Sequence, residues 1–327
     1  GAAELLRDVT LTTTDSAVSF AGAVNSQVSE ARALTVDAGS GDITLSDVGS
    51  ETNAALGALE LNSTGTTTLG GAVTAASVTT NAGGTLAIDG GAVSTTIDQV
   101  YGQTITLGAA TTLTAADVTA AAIGLGNYNL TATISGTASE IAGVISGNGT
   151  LMKSGSGQLA LTAGNIYTGA TSIEQGTLVL RHDTPSTASS AYGGAGQLLI
   201  EPVSGDFSGA FNPTDAGFVF DADLGGLTIG KASSADGSSD ANLTISSNVS
   251  IAGPITVFGG DVVVNDVLTV AKNADIVISA TGNFVNNAGS SAINVSGTGR
   301  WIVYAGSALG NTYGNLDSQN LAVWEEN

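Results

Sequence analysis

The one histidine, His182, stands in Arg181-His182-Asp183-Thr184-Pro185, just after a strand-like run. Triad-type catalysis needs a base beside a nucleophile and a third group that orients the base. No nucleophile motif accompanies His182, which reads as an exposed turn. Zinc-type sites draw on cysteine and several histidines, and the chain has no cysteine and 1 histidine. The densest acidic cluster is Asp215, Asp221 and Asp223, around Phe218-Val219-Phe220. Three carboxylates could hold calcium, or they could line a solvated loop edge; neither an EF-hand loop nor glycine-aspartate nonapeptides surround them. Gly155-Ser156-Gly157 invites a phosphate-loop reading, but neither a helix nor a Gly-Lys-Ser/Thr ending follows, so it reads as a turn. Trp301 and Tyr304 share a strand-like run with Val303, beside Arg300. They suit either a glycan-stacking platform or an aromatic cap over the open end of a stacked core. No catalytic residue, resident metal or cofactor is assigned on this basis.

The elements that would position such groups follow from composition. The 327 residues are 42% hydrophobic but 5% aromatic and 11% charged, the charged share being far below that of ordinary soluble domains. Small aliphatic residues fill the apolar share and suit a narrow interior of stacked, similar side chains. Threonine, serine, asparagine and glycine take the solvent-facing role. The net charge of −21, from 28 acidic and 7 basic residues, disfavours nucleic acid and anionic lipid, which are held by Lys and Arg. It also favours solubility and a monomer. No run of 18 apolar residues is present, so no helical membrane insertion of this segment is expected. The chain opens on Gly1 without a methionine, and its targeting signals are expected to lie elsewhere.

Alternation with period two recurs along the whole chain, as in Leu34-Thr35-Val36, Ile43-Thr44-Leu45, Leu59-Glu60-Leu61, Leu159-Ala160-Leu161, Leu178-Val179-Leu180 and Val262-Val263-Val264. Each is a strand with one buried face. Leading leucines at 34, 59, 86 and 113 suggest a coil repeat of two or three short strands. Glycines and asparagines punctuate the runs and supply tight corners. Asp37, Asp42 and Asp47 read as such corners, and the alanine-rich Ala115–Leu125 reads as short strands. The expected fold is therefore all-β, a right-handed parallel β-helix (solenoid) forming a single elongated domain. About 22 residues per coil would give roughly 15 coils and, at about 4.8 Å each, a rod about 70 Å long. A string of immunoglobulin-like sandwiches is the rival fold, disfavoured by scarce Trp and Tyr and the lack of proline-rich linkers. Residues 1–180 and 227–327 are expected as coils, the latter with a closing C-terminal cap. Residues 181–226 form a less regular excursion, centred on Asp183–Gly217, where binding function could reside.

Four stretches resemble filamentous-haemagglutinin-like exoproteins of two-partner secretion and autotransporter passengers. Ala33–Leu45 with Gly65–Val73 is similar to the repeat unit of those surface proteins. GNGTLMKSGSGQLALTAGNIYTGATSIEQGTLVL, residues 147–180, resembles the autotransporter-associated β-strand repeat. Leu227–Lys231 through Ile251–Val257 to Gly260-Asp261 is similar to a later exoprotein segment. Gly299–Tyr304, Tyr313–Leu316 and Ala322-Val323-Trp324 resemble a closing segment. Neither the amino-terminal secretion domain of the two-partner family nor an autotransporter barrel is recognisable, so the chain looks like an internal or late portion of a larger protein.

The resemblance implies export through an outer-membrane secretion partner and display on the surface of a Gram-negative bacterium. It also implies a structural or adhesive shaft, not an enzyme, with a host or cell-surface protein or glycan as its unidentified partner. Polysaccharide-active enzymes also use β-helices, and a carbohydrate-binding module is a further alternative. An enzyme of that kind needs clustered carboxylates with a basic residue on one face, whereas Arg7, Arg32, Lys153, Arg181, Lys231, Lys272 and Arg300 are scattered.

Overall fold

In a computed structural model, which describes residues 1–184, 191–232, 241–306 and 309–317, the protein is a parallel β-solenoid. Strand pairing is parallel throughout the described ladders, which is incompatible with antiparallel immunoglobulin-like sandwiches. Contacts divide the chain into two compact units, Gly1–Ala170 and Thr171–Asn327.

The first unit winds around three faces. One face stacks Val9–Thr12, Leu34–Gly39, the second half of Leu56–Ser63, the second half of Val73–Thr80, Gln99–Tyr101, Val118–Ala120, Ser139–Ile141 and Gln158–Leu161. A second face stacks seven strands, from Val18–Phe20 through Ile43–Leu45, Thr66–Leu69, Thr85–Ile88, Thr104–Leu107 and Ile123–Gly126 to Ile145–Gly147. The third carries Val73 in register with Val93, Leu113, Ala132 and Lys153 in turn. Val73–Thr80 bends at a corner, so that Val73 pairs Val93 on one face while Val78 pairs Gln99 on the next. Alternation puts every second side chain inside, and the inward columns, such as Ile43, Thr67, Leu86, Ile105, Ile123 and Ile145, are buried.

The leucine period is corrected by the ladders. Leu34 does pair Leu59, 25 residues on (34 to 59). Leu86, however, pairs Thr67 and Ile105 on the second face, and Leu113 pairs Val93 and Ala132 on the third. Coils therefore shorten from 24 residues (43 to 67) to 19 (67 to 86) within this unit. Ala115–Leu125 forms strands as expected: Thr111–Ala115, Val118–Ala120 and Ile123–Gly126.

The second unit has a main ladder of Thr177–Arg181, Gln197–Glu201, Gly226–Ile229, Ile255–Gly259, Ile276–Ala280 and Trp301–Ala305. Its inward columns run Leu178, Leu198, Leu227, Ile255, Ile276, Trp301 and Leu180, Ile200, Ile229, Val257, Ile278, Val303. Within the stretch 181–226, Gln197–Glu201 is a full ladder member, paired on both sides. The departure is narrower: between Glu201 and Gly226 the chain builds a small aromatic core. There Phe207 lies 4.6 Å from Phe211, and Phe218 packs on Tyr192, Phe211 and Phe220.

Candidate functional site

Of the three aspartates read from the sequence as corners, Asp42 and Asp47 sit at corners, and they share a task there with aspartates and asparagines that the sequence does not set apart. At a corner the backbone N–H turns out of the sheet ladder and needs another acceptor. Asp8 Oδ1 accepts from Ala33 N at 2.9 Å, Asp15 from Ser40 N at 2.9 Å, Asp42 from Thr66 N at 2.8 Å and Asp47 from Ala72 N at 3.0 Å. Asn25, Asp117 and Asn129 do the same for Ser50, Ala138 and Thr150. In the second unit Asp183 accepts from Val203 N and Ser204 N, Asp261 from Asn283 N, and Asp275 from Arg300 N. The partner lies one coil ahead in each case. Asp37 is different: it lies within a strand and accepts from Asn62 Nδ2 at 2.7 Å.

These bonds favour the ionised carboxylate. The backbone N–H of Ser40 holds Asp15 below the ordinary carboxylate range, and that of Ser204 does so for Asp183. A carboxyl group with a lowered folded pKa stabilises the fold above its unfolded value of 3.8, and this support is lost as pH falls through the folded pKa. Asparagine keeps the acceptor oxygen and tolerates the left-handed backbone of Asp15, at φ 59°, but does not titrate. In an Asp15→Asn/Asp183→Asn variant, the melting-temperature advantage of the wild type at pH 7 is therefore expected to narrow below pH 3.8. A gap unchanged between pH 7 and pH 3 would remove this account.

Asp215, Asp221 and Asp223 are not brought into one cluster. Asp215 accepts from Asn212 Nδ2 at 2.8 Å and lies near Ser246 Oγ. Asp221 and Asp223 instead converge on Gly193, where each carboxylate comes within 3 Å of the place a Cβ would occupy. Asp223 Oδ1 accepts from Gly194 N at 3.1 Å. Among the described residues no group of three or more His, Cys, Asp or Glu side chains is placed to hold a metal ion.

Trp301 and Tyr304 lie three residues apart in one strand, and alternation sends them to opposite faces. Trp301 pairs with buried Ile276, continues the inward column and is half-buried. Tyr304 pairs with Ser279 and is 45% exposed. The two rings therefore do not form a common stacking platform. Ala322-Val323-Trp324 lies outside the described residues. His182 Nδ1 accepts from Thr184 N at 3.1 Å and is also 3.1 Å from Thr184 Oγ1, an interaction internal to the turn. Beside it Arg181 Nε donates to Glu201 Oε1 at 2.6 Å, joining two coils through a partly buried ion pair.

The most unusual side chain is Lys153. It lies on Leu151–Ser154 at an inward position, in register with Ala132, and is 0% exposed. The small Ala132 leaves it room. Its ammonium donates to Ser154 O at 2.7 Å and Gly155 O at 2.8 Å, around a glycine held at φ 74°. Burial pushes its pKa down to about 8. Gln158–Leu161 follows with Leu159 and Leu161 buried, Asn165 Oδ1 accepts from Ile145 N at 2.8 Å, and Tyr167 is 1% exposed. In the second unit Thr171–Ile173 and Thr177–Arg181 flank Gly176, at φ 69°.

Residues 151–180 match the family model of the passenger-associated transport repeat. The repeat thus contains Lys153 and the Gly155–Gly157 corner, and ends on the strand Thr177–Arg181. No curated protein and no solved structure matches the chain significantly. A transport repeat within a β-solenoid fits the shaft of an autotransporter passenger. Among the described residues no helix is long and apolar enough to cross a membrane, which does not bear on β-barrels.

Proposed function

We propose that the protein is part of the shaft of a large surface protein of a Gram-negative bacterium. It holds an adhesive region away from the cell that displays it. The observation that carries this reading is the transport repeat at 151–180 in a chain otherwise built from parallel coils. In a parallel ladder each internal coil is hydrogen-bonded on both sides, so stacking coils adds length while burying a continuous core. The shaft acts as a monomer without catalysis and does not insert into the membrane. Export runs through an outer-membrane partner, either of the two-partner type suggested by the filamentous-haemagglutinin-like stretches or of the autotransporter type. The ligand is a host or cell-surface protein or glycan. Nucleic acid is disfavoured by the net charge of −21.

The test is to label intact cells carrying the complete gene with antibodies raised against this chain, before and after protease shaving. Surface labelling that shaving removes is expected, together with weaker attachment to host cells when the segment encoding these residues is deleted. Label confined to permeabilised cells would overturn surface display. Attachment unchanged by the deletion would overturn the adhesive role.

A further inference from the structure

One corner between the first and second faces of the first unit contains buried oxygens without hydrogen-bond partners. Thr67 Oγ1, Thr80 Oγ1 and Gln103 Oε1 have none among the described residues. Thr67 and Gln103 are 0% exposed and Thr80 3%. Register places all three around one corner. Thr80 ends Val73–Thr80, in register with Leu61 and Tyr101. Thr67 is the second residue of Thr66–Leu69, the strand after the corner one coil below. Gln103 stands in the corresponding corner one coil above, between Gln99–Tyr101 and Thr104–Leu107.

The corner is built to admit this side chain. Thr80 and Thr85 are separated by four residues, 81 to 84, whereas Tyr101 and Thr104 are separated only by Gly102 and Gln103. In the coil between Gln103 and Ser63, Gly83 and Gly84 take positive φ, 92° and 70°, and contribute no side chain. A Cβ on Gly84 would stand 3.0 Å from Gln103 Nε2. Gln103 thus passes the middle coil and donates through Nε2 to Ser63 O at 2.9 Å, 40 residues back in sequence. Its Oε1 is left inside, with two threonine hydroxyls on the strands either side of the corner.

A buried amide oxygen and two buried hydroxyls are costly to leave unpaired, and native interiors meet such groups with an ordered water that makes about three bonds. We propose that this corner binds one buried water molecule, which donates to Gln103 Oε1 and bridges to Thr67 Oγ1 and Thr80 Oγ1. Together Gln103 and the water would tie three successive coils at this corner, those of Ser63, Thr80 and Gln103.

The sign of one substitution tests this. Valine is close to threonine in shape, so in a dry corner Thr80→Val or Thr67→Val removes an unpaired hydroxyl and leaves the melting temperature unchanged or raised. With the water bound, each variant breaks one of its bonds, and a fall of several degrees is expected. A high-resolution crystal structure of the unmodified chain is the second measurement, and it decides alone should the variants fail to fold. Density for a water within hydrogen-bond distance of at least two of the three oxygens is expected. A corner without such density, or variants as stable as the parent, would overturn the proposal.

Discussion

Replacing Gly149 with alanine is expected to destabilise the protein by at least about 3 kcal/mol, the upper range for overpacking a close-packed interior. A Cβ at this position would stand 1.7 Å from Tyr128 O and 2.6 Å from Tyr128 C, both backbone atoms of the coil below. Neighbouring coils are about 4.8 Å apart, fixed by the hydrogen bonds of the ladder, so neither side can give way alone. The contact lies among bonds that would open with it: Asn148 N to Gly126 O at 2.6 Å and Thr150 N to Asn129 Oδ1 at 3.1 Å. Gly164 is the internal control. It has nothing within 4 Å of a Cβ and is exposed, so Gly164→Ala is expected to stay within about 0.5 kcal/mol of the parent. Urea titration followed by circular dichroism separates the two. Equal midpoints for both variants would mean that the coils do not meet at Gly149 as described.

Glycine content announced such corners in the sequence, but not which glycines meet a backbone. Gly149 and Gly164 look alike in one dimension, and only the coil stacked beneath distinguishes them. The same limit explains the leucine period. Alternation reveals that Leu34, Leu59, Leu86 and Leu113 face inward, and all are buried. It carries no information about which face each occupies, because corners of different length absorb insertions without disturbing strand parity. Fold class was legible because parity and turn residues suffice for it. Register was not, because it is a property of pairs.

Parity also separates side chains that share one strand. The odd separation of Trp301 and Tyr304 already places the rings on opposite faces of a strand. Asp42 and Asp47 are legible as corners from the sequence, whereas the acceptor role they share with Asp8, Asp15 and Asp117 is visible only with the N–H of the next coil in place. Lys153 shares parity with Leu151 and so belongs inside, a conclusion that its charge argues against until Ala132 is seen to make room beneath it.

Lys153 also carries the second large expected effect. Lys153→Ala should cost about 3–5 kcal/mol, since it leaves a cavity and strips the partly buried carbonyls of Ser154 and Gly155 of a donor. Lys153→Met keeps most of the volume and removes the cost of burying a charge. It should therefore cost only about 1–2 kcal/mol. The pH dependence separates the charge from the packing. With a folded pKa of about 8 against an ordinary 10.5, the amine is protonated in both states below pH 8, and the penalty of burying it is felt in full. Between pH 8 and 10.5 the unfolded chain holds a proton that the folded chain has released, so stability rises with pH. Above 10.5 the contribution is level. Wild-type unfolding midpoints are thus expected to gain on those of Lys153→Met as pH is raised from 8 to 10.5, opposite to the ordinary loss of stability in alkali. A difference between the two proteins that stays constant across this window would mean that the ammonium is not buried in the folded state, and Lys153 would then act through packing alone.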